Sequence, residues 1–124
     1  MSNGYVLNLP WAPSINSYYG ITCNGRIPHK YIKEKGKLYR EEVKEYIREN
    51  NLELRANVNL KVTIQLTPPD ARTHDIDNNL KALFDSLTHA NFWQDDSFVK
   101  ELHISYNPPS KPGSILLHST TLDY

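Results

Sequence analysis

Apolar and polar residues alternate strictly from residue 58 to residue 66. A period of two residues places alternate side chains on opposite faces of a β-strand, so this segment predicts a strand with one buried face. Less regular apolar and polar patterns predict three further strands, over residues 5–9, 98–106 and 114–122. A turn-forming segment separates the last two, which are therefore predicted to form a hairpin.

Two segments instead repeat their apolar residues with the spacing of a helix. The first runs from Tyr39 to Arg48, and the second runs from Asp75 to Ala90, a stretch without glycine or proline. Asp75 stands where the N-cap of the second helix belongs, because acidic residues satisfy the free N–H groups of a first turn. Residues 11–19 are predicted to form a loop, and residues 20–30 a turn-rich connection.

The order strand, helix, strand, helix, strand, strand predicts an α+β fold. In this fold two helices pack on one face of a mixed sheet of about four strands. A chain of 124 residues is long enough to bury one hydrophobic core. Residues 1–124 are therefore predicted to be a single domain. The second face of such a sheet needs a cover, and a homodimer would provide one.

Composition limits the class of protein. The 14 Lys and Arg residues balance the 14 Asp and Glu residues, which argues against a strong nonspecific DNA-binding protein. The charges are unevenly placed, since residues 1–50 carry eight bases and five acids. One cysteine excludes an internal disulfide and favours a reducing compartment. The sequence contains no apolar run of membrane length and no signal peptide. We therefore expect a cytoplasmic protein without a membrane partner.

Acidic residues concentrate between residues 70 and 101, where seven acids and three bases give a local net charge of −4. Asp75 and Asp77 begin the second helix, and Asp95 and Asp96 follow it. If the chain folds back over the start of the helix, these carboxylates meet and repel one another unless a cation lies between them. Mg²⁺ is the usual ion for a site of carboxylates without thiolates. The five histidines lack the spacing of a zinc site.

Lys81 is placed to join this site, since it lies one helical turn after Asp77. The same pair can be interpreted as an ordinary surface salt bridge. On that simpler interpretation Asp75 only caps the helix, Asp85 is solvated, and the acids after the helix form a polar turn. The simpler interpretation leaves the concentration of acids unexplained.

Three motifs follow one another along the chain. They are Leu9-Pro-Trp-Ala-Pro-Ser-Ile-Asn16-Ser-Tyr-Tyr19, then Glu34-Lys-Gly36-Lys-Leu-Tyr39-Arg40, and then Asp75-Ile-Asp77-Asn-Asn-Leu-Lys81-Ala-Leu-Phe-Asp85-Ser-Leu with Phe92-Trp93-Gln94-Asp95-Asp96. Together they resemble the RusA family of Holliday junction resolvases, which are endonucleases frequent in phages and prophages. The resemblance covers nearly the whole chain, and its specific part is D-x-D-N-x-x-K followed by F-W-x-D-D.

This resemblance implies a Mg²⁺-dependent endodeoxyribonuclease that resolves four-way junction DNA as a homodimer, with Mn²⁺ as a substitute ion. The catalytic metal ligands it implies are Asp75, Asp77 and Asp96, with Asp95 as a less direct neighbour. Lys81 is expected to stabilise charge on the phosphate, and Asn78 to support the ligands. The implied products are symmetric nicks with 5′-phosphate and 3′-hydroxyl ends.

The chain departs from the resembled family in the loop before Asp75, which can be rich in arginine. Only Arg72 and His74 stand there as candidates for DNA binding. Asn16, in the first motif, is a further residue that the resemblance places near DNA.

Two other functions are compatible with the sequence. A nuclease of the same fold could prefer a flap or a fork to a four-way junction. A noncatalytic DNA-binding or phage assembly protein would use the acids only for structure. Cleavage of junction, fork and duplex side by side distinguishes the first alternative, and a metal titration followed by Trp93 fluorescence distinguishes the second.

Overall fold

The computed structural model of the chain describes residues 4–72 and 78–123, apart from the side chain of Asn24. Strands and helices in this part of the chain follow one another in the order β1 (Tyr5–Pro10), α1 (Ile15–Tyr18), β2 (Tyr19–Asn24), β3 (Ile27–Ile32), α2 (Glu34–Glu49), β4 (Leu60–Thr67), α3 (Leu80–His89), β5 (Val99–Tyr106) and β6 (Ser114–Thr121). A short 3₁₀ helix, Asp96–Phe98, precedes β5.

Four of the strands form a mixed sheet in the order β1-β6-β4-β5. β6 is antiparallel to both β1 and β4, whereas β5 is parallel to β4. α3 links β4 to β5, because parallel neighbours need a crossover connection. The predicted α+β fold with a mixed sheet is confirmed. The predicted hairpin is wrong, since β6 pairs with β1 and β4 and not with β5; alternation identifies a strand but not its neighbour.

The helices cover one face of this sheet, as predicted. The buried residues form one cluster, to which the sheet contributes Leu7, Leu9, Leu60, Val62, Ile64, Leu66, Ile115 and Leu117, α2 contributes Tyr39, Val43 and Ile47, and α3 contributes Ala82, Leu83 and Leu87. Alternate positions in the same strands point to the opposite face, where Val6 and Leu116 are exposed. The opposite face is therefore free of the helices.

Two tyrosines of α2 close the outer edge of the sheet at β1. An edge strand presents backbone groups without strand partners. Tyr46 Oη accepts a hydrogen bond from the backbone N–H of Asn8 (3.0 Å), and Tyr39 Oη donates one to the carbonyl of Pro10 (2.9 Å). α2 thus supports the edge strand of the sheet as well as covering its face.

β2 and β3 form a separate two-stranded antiparallel ribbon that we did not predict from the sequence. Residues 25 and 26 join the strands, with Gly25 at a φ of 72°. A glycine at the first position of a two-residue turn is typical of hairpins, because it adopts positive φ without steric cost. Gly25, followed by a single residue before the next apolar position, was the available sequence signal for this hairpin.

The acidic helix is shorter than predicted. α3 begins at Leu80, and its N-cap is Asn79 rather than Asp75. The Asn79 side chain makes no capping hydrogen bond, and its buried Oδ1 accepts none from the described residues. Its Nδ2 donates to the carbonyl of Ala12 (2.7 Å). The helical spacing of apolar residues therefore begins earlier in the sequence than α3 itself does. β4 likewise begins two residues later than predicted, and α1 lies within the predicted loop.

Candidate active site

The predicted site residues divide into two groups. His74, Asp75 and Asp77 lie outside the described residues, and their place in the site stays a prediction. The structure describes the other predicted residues, which are Asn16, Arg72, Asn78, Lys81, Asp95 and Asp96.

The turn that carries Asp95 and Asp96 packs against α3. Asp95 caps the 3₁₀ helix, since its Oδ2 accepts a hydrogen bond from the backbone N–H of Ser97 (3.4 Å). Hydrogen bonds from Ser97 lower the pKa of the Asp95 carboxyl, and the positive charge of Lys81 lowers it further. The turn after the helix and the lysine in its first turn therefore lie in one region, close enough for the charge of Lys81 to act on Asp95.

Aromatic packing holds the chain where it turns back after α3. Phe92 and Trp93 are both buried. The Trp93 ring packs edge-to-face on Phe84 of α3, with ring centroids 5.3 Å apart, and its Nε1 donates to Thr88 Oγ1 (2.7 Å). A buried indole N–H needs such a partner. Because Trp93 is anchored on α3, Asp95 emerges only two residues from the helix surface.

Asp85 lies one helical turn after Lys81 on α3 and has a different role. Its Oδ2 accepts hydrogen bonds from Tyr18 Oη (3.0 Å) and Tyr19 Oη (2.7 Å). Burial raises the pKa of Tyr18 to about 12, and the charge of Asp85 adds to this increase. The simpler interpretation, in which Asp85 is only solvated, does not hold for this residue, because α1 and β2 bring two phenols to it.

Asn79 is a structural residue of the site that we missed from the sequence. It is only 3% exposed, and its bond to Ala12 ties the loop after β1 to the start of α3. A buried amide needs hydrogen-bond partners, so an asparagine beside an apolar stripe was an available signal. Asn78, the predicted supporting residue, is half-buried immediately before it.

Arg72, a candidate for DNA binding, is held by its neighbour Asp70. Its Nη2 and Nε donate to Asp70 Oδ2 (2.8 and 3.0 Å), and its backbone N–H donates to Oδ1 (3.1 Å). The carboxylate raises the pKa of Arg72, whose side chain remains 80% exposed. The charge of Arg72 is thus offset before it can meet a phosphate.

Asn16 lies exposed on α1, next to the base of the β2–β3 ribbon. Its backbone carbonyl accepts a hydrogen bond from Nζ of Lys33 (2.7 Å), the residue that follows β3. This bond uses the backbone of Asn16 and not its side chain. A contact between that side chain and DNA stays a prediction.

The donor set of the described site suits a hard divalent ion. Asp95 and Asp96 supply carboxylate oxygens, which Mg²⁺ prefers. Within residues 4–72 and 78–123, no three His, Cys, Asp or Glu side chains lie close enough together to hold a metal ion. Asp75 and Asp77, the other predicted ligands, lie outside these ranges, and their part in a metal site stays a prediction.

The family described as Endodeoxyribonuclease RusA matches residues 10–115 of the chain. The chain belongs to this family. Crossover junction endodeoxyribonucleases RusA of Shigella sonnei and Escherichia coli K12 are 37% and 36% identical to it over 120 residues, which are 97% of this chain and 97% of theirs. The protein of the same name from Enterobacteria phage 82 is 37% identical over the same shares. The resemblance drawn from the three motifs is confirmed.

No helix in the described part of this RusA family member is long and apolar enough to span a membrane.

Proposed function

We propose that this chain is a Mg²⁺-dependent endodeoxyribonuclease that resolves four-way DNA junctions in recombination and repair. Membership of the RusA family supports the activity, because full-length relatives are named crossover junction endodeoxyribonucleases. The observation that carries the site is the return of Asp95 and Asp96 onto the helix that bears Lys81. The phage relative supports a gene carried by a phage or prophage, and action in the bacterial cytoplasm.

Asp75, Asp77 and Asp96 would hold the ion, with Asp95 beside them and Mn²⁺ as a substitute. A bound Mg²⁺ supplies Lewis-acid chemistry, which polarises the scissile phosphate and lowers the pKa of a water. Hydrogen bonds from Ser97 and the charge of Lys81 lower the pKa of Asp95, which favours its ionised form. Asn78 directly precedes the buried Asn79 and would orient the neighbouring carboxylates.

Lys81 stabilises the negative charge that develops on the phosphate oxygens. Its ammonium is exposed in the first turn of α3, and its charge reaches Asp95. A fixed positive charge accelerates a reaction when it faces the atoms on which negative charge grows. Lys81 therefore contributes to the rate of cleavage more than to the affinity for DNA.

The enzyme acts as a homodimer with two sites, because a four-way junction has two-fold symmetry and needs two cuts. The sheet face opposite the helices offers a surface for this contact, and one patch of it is lined by Val6, Thr63, Gln65, Leu116 and His118. In a two-fold interface the same patch meets itself, so a patch without acids, lysine or arginine avoids like-charge repulsion. Sedimentation equilibrium tests the dimer.

Substitution Asp77→Asn tests the metal site. We expect cleavage to fall by at least about a hundredfold, since an amide oxygen is a poor substitute for a carboxylate ligand. Junction binding should be kept or strengthened, because the lost carboxylate repels DNA when no ion is bound. Single-turnover cleavage in Mg²⁺ and fluorescence anisotropy measure the two effects.

Asp123→Asn, an exposed acid near the end of the chain, is the control for this variant. Chelation of Mg²⁺ should reproduce the Asp77→Asn phenotype in the wild type. Cleavage at the wild-type rate by Asp77→Asn would exclude Asp77 as a ligand. A fork or flap that is cut faster than the junction would change the substrate and leave the site in place.

A further inference from the structure

The β2–β3 ribbon stands out from the body of the molecule. Every described side chain from residue 21 to residue 31 is exposed. Ile21 is 72% exposed and Ile27 is 63% exposed, which makes them the most exposed large apolar residues of the described chain. Apolar side chains held in water in this way favour a contact with a partner.

The ribbon also carries positive charge and contains no acidic residue of its own. Residues 1–33 contain neither Asp nor Glu. Arg26 lies in the turn, Lys30 lies on β3, and Lys33 directly follows it. Such a charge distribution attracts a polyanion most strongly and an acidic protein surface slightly less. A second copy of this ribbon would be repelled.

The base of the ribbon is fixed while its outer part is free. Tyr19 Oη donates to Asp85 of α3 (2.7 Å), and the backbone N–H of Lys33 donates to the carbonyl of Tyr18 (2.8 Å). A Cβ on Gly36 would lie 2.7 Å from that same carbonyl, so α2 can approach the base only because residue 36 is glycine. The ribbon is therefore a held arm rather than a loose loop.

Both faces of the arm combine an apolar with a basic or polar group. Cross-strand partners share a face, so Ile21 lies beside Lys30 on one face. Ile27 and His29 lie on the opposite face, and Arg26 occupies the turn between the strands. A ribbon that packed on a single surface would need only one such face.

We propose that the β2–β3 ribbon enters the branch point of the DNA junction, with a duplex arm on each face. The inference rests on the proposed function and adds to it the element that distinguishes branched from linear DNA. Ile21 and Ile27 contact base faces exposed at the branch, as apolar wedges do elsewhere. Arg26 and Lys30 bind the flanking phosphates. Strands of this length extend about 17–20 Å, enough to pass between two arms.

Serine substitutions at Ile21 and Ile27 test the apolar contact. Anisotropy measures binding, without metal ion, to a four-way junction and to a linear duplex with the same arm sequences. The double variant should bind the junction about tenfold more weakly, the factor expected for one well-buried isoleucine, with duplex binding unchanged. Val58→Ser, 45% exposed and outside the ribbon, is the matched control.

Alanine substitutions at Arg26 and Lys30 test the phosphate contacts. The double variant should weaken binding to both DNAs and reduce the slope of log K against log salt by about two. Lys111→Ala, an exposed lysine between β5 and β6, should leave that slope unchanged.

Two outcomes overturn the inference. The first is a serine variant whose junction-to-duplex preference equals that of the wild type, whether both affinities hold or both fall. The second is a serine variant that loses the dimer in sedimentation equilibrium, because the ribbon then belongs to a subunit contact. Binding preference is measured independently of cleavage. A wild type that prefers the junction but never cuts it rejects the proposed activity alone.

Discussion

At the scale of single residues, buried or paired polar groups decide which charges reach the DNA. Asp70 holds the guanidinium of Arg72 at 2.8 Å, whereas Lys81 is exposed at the start of α3. Asp85 accepts hydrogen bonds from the phenols of Tyr18 and Tyr19, which bind its carboxylate. Residues of the same type along the acidic segment therefore have different roles.

Lys81→Ala should reduce the cleavage rate by about 10²–10³, because the positive charge acts on the transition state. The dissociation constant for the junction should change by less than about threefold, the effect of one partly screened contact. Single-turnover rates and anisotropy measure the two quantities, with Lys111→Ala as the control. Equal losses in rate and affinity would make Lys81 a simple binding residue.

Asp70→Asn should strengthen DNA binding, because it releases the charge of Arg72 for a phosphate. The slope of log K against log salt should become steeper by about one. The comparison variant is Arg72→Ala in the wild-type and Asp70→Asn backgrounds. If Asp70→Asn tightens binding equally when Arg72 is absent, the effect comes from removal of a negative charge and not from the arginine.

At the scale of elements, α3 connects the candidate metal site near its first turn with the base of the ribbon, which contacts Asp85. The chain returns to its first turn through Trp93, which packs on Phe84. Four residues after Lys81, about 6 Å along the helix axis, Asp85 fixes the base of the ribbon. A single helix therefore links the candidate metal site to the candidate DNA arm.

Asp85→Ala should loosen the β2–β3 ribbon, because Tyr18 and Tyr19 lose their shared acceptor. Amide hydrogen exchange in β2 and β3 should become faster while exchange in β4 stays slow, since local opening depends on local contacts. Glu41→Ala, on the exposed side of α2, is the control. Unchanged exchange in β2 and β3 would show that the tyrosine bonds do not hold the ribbon.

At the scale of the whole molecule, buried tyrosines couple folding to alkaline pH. Burial raises the pKa of Tyr18 to about 12 and raises that of Tyr39 above its ordinary value of 10.0. The same tyrosines join α1 to α3 and α2 to β1. The phenols that hold these elements therefore remain protonated in the folded chain at a pH where they ionise in the unfolded chain.

The free energy of unfolding should fall as the pH rises from about 10 to about 12. Above about pH 10 the unfolded chain binds fewer protons than the folded chain, so the linkage slope is negative. Urea denaturation at a series of pH values measures the fall. Tyr39→Phe should make it shallower, and Tyr5→Phe, at an exposed position, should not. An equally steep fall in Tyr39→Phe contradicts the assignment.

The sequence alone determined the type of most elements and the family. Alternation in β4 and the amphipathic stripe of α2 report which side of an element is buried, and that side depends on local order. The three motifs identified the RusA family because their residue types and spacing are specific in combination. The carboxylates of the acidic segment were predicted in the same way, and their role as metal ligands stays a prediction.

Only the tertiary structure decided how these pieces meet. It placed β6 between β1 and β4, raised the β2–β3 ribbon from the surface, and started α3 at Leu80. It also joined Asp85 to two tyrosines 66 and 67 residues away in sequence. Local periodicity carries no information about such partners, because strand neighbours and buried hydrogen bonds depend on contacts between residues that the sequence keeps far apart.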